Sequence, residues 1–160
     1  MHINVSPAEF SDWPQLLGLV RDSFAYMDSR IDPPSSLKKM GIEEFRAKAD
    51  EEILILAEED RTIIGCAFAA LRDDCVYLGK VAVAQSARGK GVARAMFAAA
   101  ETLARKHQRK FLELQTRVEL VENHATFAAL GFRKLSESAH PGYTRPTSIT
   151  MRKPVAESAA

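Results

Sequence analysis

The chain has 160 residues, 46% hydrophobic and 27% charged, with 22 Lys and Arg against 21 Asp and Glu for a formal net charge of +1. That length suits one domain with a core of its own, and the near-neutral balance speaks against a general nucleic-acid binder. The opening "MHINVSPAEF" has neither a basic start nor an apolar run, and no stretch reaches membrane-span length, so the expectation is a soluble, cytoplasmic protein with no membrane partner.

Along the chain, "HINV" (2–5) reads as a short strand. "SDWPQLLGLVRDSFAYM" (11–27) reads as a helix capped by Asp12, with Pro14 in the first turn, where its missing N–H costs nothing. Trp13, Leu16, Leu17, Val20 and Phe24 share one face of it. The prolines of "DSRIDPPSS" end this helix, and 36–51 reads as a second, acid-rich one. Three strands follow, 52–58, 62–71 and 75–84, joined by the polar turns "EDR" and "RDD" as an antiparallel meander. Cys66 and Cys75 lie on two of these strands, about 17 Å apart at strand rise, so they are expected as free thiols packed in the core.

The strongest helical pattern covers 90–107, with Val92, Met96, Ala99 or Ala100, and Leu103 in register, and it ends in the basic run "ARKHQRK" (104–110). Residues 111–116 form a strand. Residues 123–130 form a short helix with Asn123 as its cap and Gly131 as its stop, and "FRKL" and "TSITMRK" are the last strands. The order predicts a mixed α/β (α+β) domain over 1–153 with a short tail, 154–160.

The segment "QSARGKGVARAMF" (85–97) joins a strand to that long helix. Amides at a helix N-terminus lack intrahelical partners and carry the positive end of the dipole. Gly89 and Gly91 let another molecule approach the backbone, and Arg88, Lys90 and Arg94 add charge. The pattern is a phosphate cradle. It is not a nucleoside-triphosphate loop, which needs G-x-x-x-x-G-K-[ST]. A dinucleotide fingerprint would need glycine where Arg94 stands, although Glu113 lies at about the distance of a ribose-binding acid.

Arg88-Gly-Lys-Gly91-Val-Ala93, preceded by the strand "GKVAVA", resembles the R/Q-x-x-G-x-G/A signature of the GNAT superfamily of acetyl-CoA-dependent N-acyltransferases, and "NHATFAALGFRK" resembles that family's second motif. The resemblance implies a mostly antiparallel twisted sheet of six to seven strands, splayed in the middle and flanked by about four helices. It implies acetyl-CoA as co-substrate and no metal. The pantetheine arm would bond main-chain groups near Val81 and Val83. The diphosphate would sit on Arg88, Gly89, Lys90, Gly91, Val92, Ala93 and Arg94, with Asn123 and Phe127 beside the cofactor. An amine, on a small molecule or exposed on a protein, would attack directly in a ternary complex. The resemblance also allows a homodimer.

Two departures from the family pattern matter. Phe127 stands where many relatives carry a tyrosine near the leaving sulfur, and Asn123 lies four residues before it rather than about seven. Tyr77 occupies the neighbourhood of a glutamate base used by some relatives, and its ordinary pKa near 10 suits it poorly to that role. Tyr143, with His140 as a relay, and Glu113 acting through water are the other candidates for proton transfer. Glu113 also reads as a paired carboxylate. Arg30, Asp32 and Arg117 are the candidate acceptor-binding residues, Asp32 for an ammonium and the arginines for a carboxylate, and Arg30 and Asp32 also read as partners of each other. With Phe127 and Tyr77 in these places, a non-catalytic acyl-CoA sensor is the alternative function.

Overall fold

The computed structural model describes residues 1–157. Seven strands form one sheet: β1 (His2–Val5), β2 (Ile53–Glu59), β3 (Thr62–Leu71), β4 (Cys75–Val83), β5 (Phe111–Arg117), β6 (Arg133–Ser138) and β7 (Ser148–Pro154). Their spatial order is β1-β2-β3-β4-β5-β7-β6, and every adjacent pair is antiparallel except β4 with β5. The helices are α1 (Trp13–Phe24), α2 (Ile42–Glu51), α3 (Val92–Lys106) and α4 (Val121–Ala129). The parallel pair needs a crossover, and α3 provides it.

Each face of the sheet carries its own core. On one, Val92, Met96, Phe97, Ala100 and Leu103 of α3 pack on Ile55, Ala67, Val76, Leu78, Leu112 and Leu114. On the other, Leu16, Leu17 and Val20 of α1 and Phe45 of α2 cover Leu54, Leu56, Cys66, Phe68 and Ala82. Fully burying an aliphatic or aromatic side chain stabilises by about 1.5–3 kcal/mol, so these two cores sustain the fold without a metal or cross-link. Asp12 caps α1 by accepting from the Gln15 N–H at 3.2 Å.

Several expected boundaries move. The helix expected over 36–51 is two pieces, a 3-10 turn at Ser36–Lys39 and α2, because Met40 and Gly41 are extended between them; Glu44 accepts from the Gly41 N–H at 3.0 Å and starts α2. Asn123 is not a cap: α4 begins at Val121, and the Asn123 N–H already donates to the Leu120 carbonyl at 3.0 Å. Pro154 belongs to β7, and the Val155 N–H donates to the Lys110 carbonyl at 2.9 Å, so part of the expected tail is sheet. Residues 158–160 of that tail lie outside the described residues.

β4 holds one extra residue against β3. Phe68 pairs with Gly79, but Cys66 pairs with Ala82, so Lys80 and Val81 stand opposite Ala67 alone. Lys80 takes φ +49, a left-handed conformation that costs a non-glycine residue about 1–2 kcal/mol. Such a bulge bends its strand. β4 pairs with β5 only from Cys75–Leu78 against Phe111–Leu114. Beyond that point β4 stays bonded to β3 and β5 to β7, and the two separate.

Two predictions follow from this packing. Cys66 and Cys75 are buried free thiols, and burial pushes Cys66 up to about 12 and Cys75 upward. Both should resist a thiol-reactive dye in the native protein at pH 8 and react only after denaturation. At Gly65 a Cβ would stand 2.7 Å from Cγ1 of Val92 in the first turn of α3. Gly65→Ala should therefore destabilise by about 1–3 kcal/mol, read as a lower Tm, and should loosen the start of α3.

Candidate active site

After β4 the chain makes a 3-10 turn at Gln85–Ala87, and Arg88 is extended. Gly89 and Gly91 take φ +76 and +81, where side-chain-bearing residues are strained. The first bond closing α3 runs from the Ala95 N–H to the Gly91 carbonyl at 3.0 Å. Among the described residues, no carbonyl or side chain accepts from the N–H groups of Gly89 to Arg94. No atom lies within 4 Å of where a Cβ would stand on either glycine, so the space above them is open. Arg88, Lys90 and Arg94 are exposed around it, while the Val92 side chain turns into the core and leaves only its main chain for a ligand. Arg88 lies with its guanidinium carbon 5.7 Å from the Tyr26 ring centre, and the Tyr26 hydroxyl donates to Oδ1 of Asn123 at 3.3 Å.

The parting of β4 and β5 opens a cleft of about 360 Å³. Tyr77, Val81, Arg117, Asn123 and Phe127, all expected at the site, line it together with His140. Phe127 is fixed by Phe97 and Phe132, each ring centre 6.1 Å from its own. The Val83 carbonyl accepts from Oγ of Ser23 at 3.2 Å, so of the two expected strand contacts Val81 is the one in the cleft wall. Burial pushes the Tyr77 phenol up, while the Arg72 guanidinium, 3.8 Å from its ring centre, pulls the other way. Tyr77 is therefore protonated at neutral pH and able to donate. Burial, with Arg117 nearby, pushes the His140 imidazole down and keeps it neutral. Its Nδ1 side is bonded to Oγ1 of Thr147.

Other expected site residues hold one another instead. Arg30 pairs with Glu122, Nη2 to Oε2 at 3.0 Å, rather than with Asp32. Asp32 accepts from the Tyr143 hydroxyl at 2.6 Å and faces Arg145 at 3.3 Å. Arg117 donates to the Pro33 and Pro34 carbonyls at 2.7 and 3.3 Å. The Asp32 N–H donates to Oε2 of Glu119 at 3.1 Å. These ties hold the proline segment, whose flanking residues Ile31, Ser35 and Ser36 line the cleft. Glu113 is 9% exposed and ion-paired to Arg152 at 2.8 Å and to Arg72 at 3.7 Å, so the paired reading holds and its carboxylate is not a free base. Tyr143, Asp32 and Arg30 are not among the residues lining the cleft.

Sequence reasoning missed Lys80, Ser36, Lys48, Gln115 and Thr116, which also line the cleft. Polar residues interrupt the apolar strands "LGKVAVA" and "FLELQT", but only the bulge and the parting of the strands show that Lys80, Gln115 and Thr116 line a cleft, and nothing local marks Ser36 or Lys48. Among the described residues no three His, Cys, Asp or Glu side chains gather as a metal would require, and no helix is long and apolar enough to cross a membrane.

The Acetyltransferase (GNAT) family profile matches residues 13–132, three quarters of the chain, and the protein belongs to that family. Among solved structures, it is similar to the ribosomal-protein-S18-alanine N-acetyltransferase of Escherichia coli (18% identity, 99% of this chain and 97% of that one, TM-score 0.68). It is also similar to a GNAT family acetyltransferase of Elizabethkingia anophelis with acetyl-CoA bound (17%, 96% and 97%, 0.71). A third likeness is to the PaiA N-acetyltransferase of Thermoplasma acidophilum in complex with coenzyme A (16%, 96% and 99%, 0.74). No curated protein sequence matches this one.

The open amides and the splayed cleft fit coenzyme A. Gly91→Ala should destabilise the fold by about 1–2 kcal/mol through backbone strain and, by placing a methyl in the open space, weaken coenzyme A binding about tenfold or more in calorimetry.

Proposed function

We propose that this protein transfers the acetyl group of acetyl-CoA to a primary amine by direct attack in a ternary complex. The observation that carries this reading is the run of free main-chain donors from Gly89 to Arg94, joined through Arg88 and Tyr26 to Asn123 in the wall of the cleft between β4 and β5. Acetyl-CoA supplies an acetyl group already activated as a thioester. In this reading the amides of residues 88–94 hold the diphosphate, with Arg88, Lys90 and Arg94 adding charge. The free edge of β4 at Val81 accepts the pantetheine arm as an added strand, and Asn123 and Phe127 form the opposite wall.

Forming the new N–C bond breaks the C–S bond and releases one amine proton. His140, held neutral, takes that proton directly or through water. Tyr77, held protonated, is the donor available to the departing thiolate, in place of the hydroxyl that Phe127 lacks. Tyr143 is tied to Asp32 and in this reading positions the proline segment rather than moving protons. Holding both reactants in line supplies much of the rate. Phe127 is also what favours the second reading, a non-catalytic acyl-CoA-binding module.

The test is release of free coenzyme A thiol across a panel of primary amines. Amine-dependent release supports transfer; tight acetyl-CoA binding with no release for any amine supports the module. With activity present, the sign of the pH effect follows from His140. Its lowered pKa leaves the imidazole in its basic form at neutral pH, and the rate falls as acid protonates it, below the ordinary value of 6.5. His140→Gln should lower the rate by about 10²-fold or more and remove that acidic limb. An unchanged limb would assign it to another group.

A further inference from the structure

The cleft wall is one-sided in charge. Lys48, Lys80 and Arg117 line it, and no Asp or Glu does. Lys48 is already satisfied, with Nζ 2.7 Å from Oε2 of Glu52. Arg117 is anchored by two of its five N–H donors to the Pro33 and Pro34 carbonyls. Lys80 is different: among the described residues its ammonium has no carboxylate within 4 Å and a single hydrogen bond, to Oγ of Ser36 at 3.3 Å. Burial, then the neighbouring charges of Lys48 and Arg117, push its pKa down against the pull of Glu52, so this cation sits where charge is costly and has no carboxylate in direct contact. Its backbone pays a further conformational cost at the bulge that opens the cleft.

A cleft wall that carries three cations and no carboxylate suits an anionic group. Thr116 also lines the cleft, but its unpartnered Oγ1 is closed off from solvent on the side of β5 that Leu112 and Leu114 bury against α3, so it offers a ligand no contact. Oε1 of Glu119 is also buried and unpartnered, but Glu119 stands outside the cleft wall, with Oε2 on the Asp32 N–H.

Resting on the acetyl-transfer reading, we propose that the acceptor is a small amine carrying an anionic group, and that Lys80, beside Ser36 in the cleft wall, binds that group. The anion at Lys80 fixes one end of the molecule and leaves the amine to face the thioester. Polyamines and other polycations are then disfavoured by the same three cations.

Matched pairs test this: β-alanine against β-alaninamide for a carboxylate, and phosphoethanolamine against ethanolamine for a phosphate, with spermidine as the polycation. Thiol release should favour the anionic member of at least one pair by about tenfold or more in kcat/KM, and the pair that shows it identifies the anion. Lys80→Met should abolish that preference and Lys80→Arg should retain it. Calorimetry of N-acetyl-β-alanine against its amide on coenzyme A-loaded protein reads the same site without turnover. If no amine is acetylated but the N-acetyl acid still binds better than its amide, in a Lys80-dependent way, transfer fails and the anion site stands. If neutral amines or spermidine react as well as the acids, or if Lys80→Met keeps the preference, the anion site fails and transfer stands.

Discussion

β4 and β5 pair over only four residues each, and that short parallel seam governs the rest of the protein. A sheet interior normally satisfies every main-chain group. Here the bulge at Lys80 turns β4 aside just where its pairing with β5 stops, and each strand continues on its outer neighbour. The result is a wedge in the middle of the sheet with main-chain edges on both sides. The turn that follows β4 delivers the chain to the start of α3 with two left-handed glycines, so the amides there face open space beside the wedge. An elongated ligand with a diphosphate at one end and a thioester at the other matches that geometry.

The segment beside the cleft is held by a small apolar cluster of Met27, Ile31 and Leu120 and by a set of polar ties around it. Arg30 with Glu122, Tyr143 and Arg145 with Asp32, and Arg117 with the proline carbonyls link segments distant in the chain. Such exposed ties are weak because solvent screens them. Their effect is order more than stability: they fix the proline segment against α4 and the 143–145 loop.

The parts of this arrangement legible in the sequence were those fixed by local rules. The α1 cap at Asp12, the strand meander and the two glycines before α3 all depend on residues close in the chain. Gly-x-Gly at a strand-to-helix junction has one economical conformation, so the cradle could be read directly. Pairings across the fold could not. Arg30 is two residues from Asp32, yet its partner lies on α4, because the proline segment directs the two side chains to different neighbours. Asn123 has the chemistry of a cap but sits inside α4, where its amide oxygen serves Tyr26 instead. Lys80 was overlooked because a lone lysine in an apolar strand reads as a surface position until the bulge and the cleft are seen.

The claim on which the account turns is that the amides from Gly89 to Arg94 grip the diphosphate of coenzyme A. Calorimetric titration of the protein with acetyl-CoA and, separately, with S-acetylpantetheine tests it most directly, since the second ligand keeps the thioester arm and lacks the diphosphate. The account predicts that acetyl-CoA binds about 10²-fold or more tightly than the fragment, as several charge-assisted hydrogen bonds require. Equal affinity for the two, or no binding of acetyl-CoA at all, would contradict it.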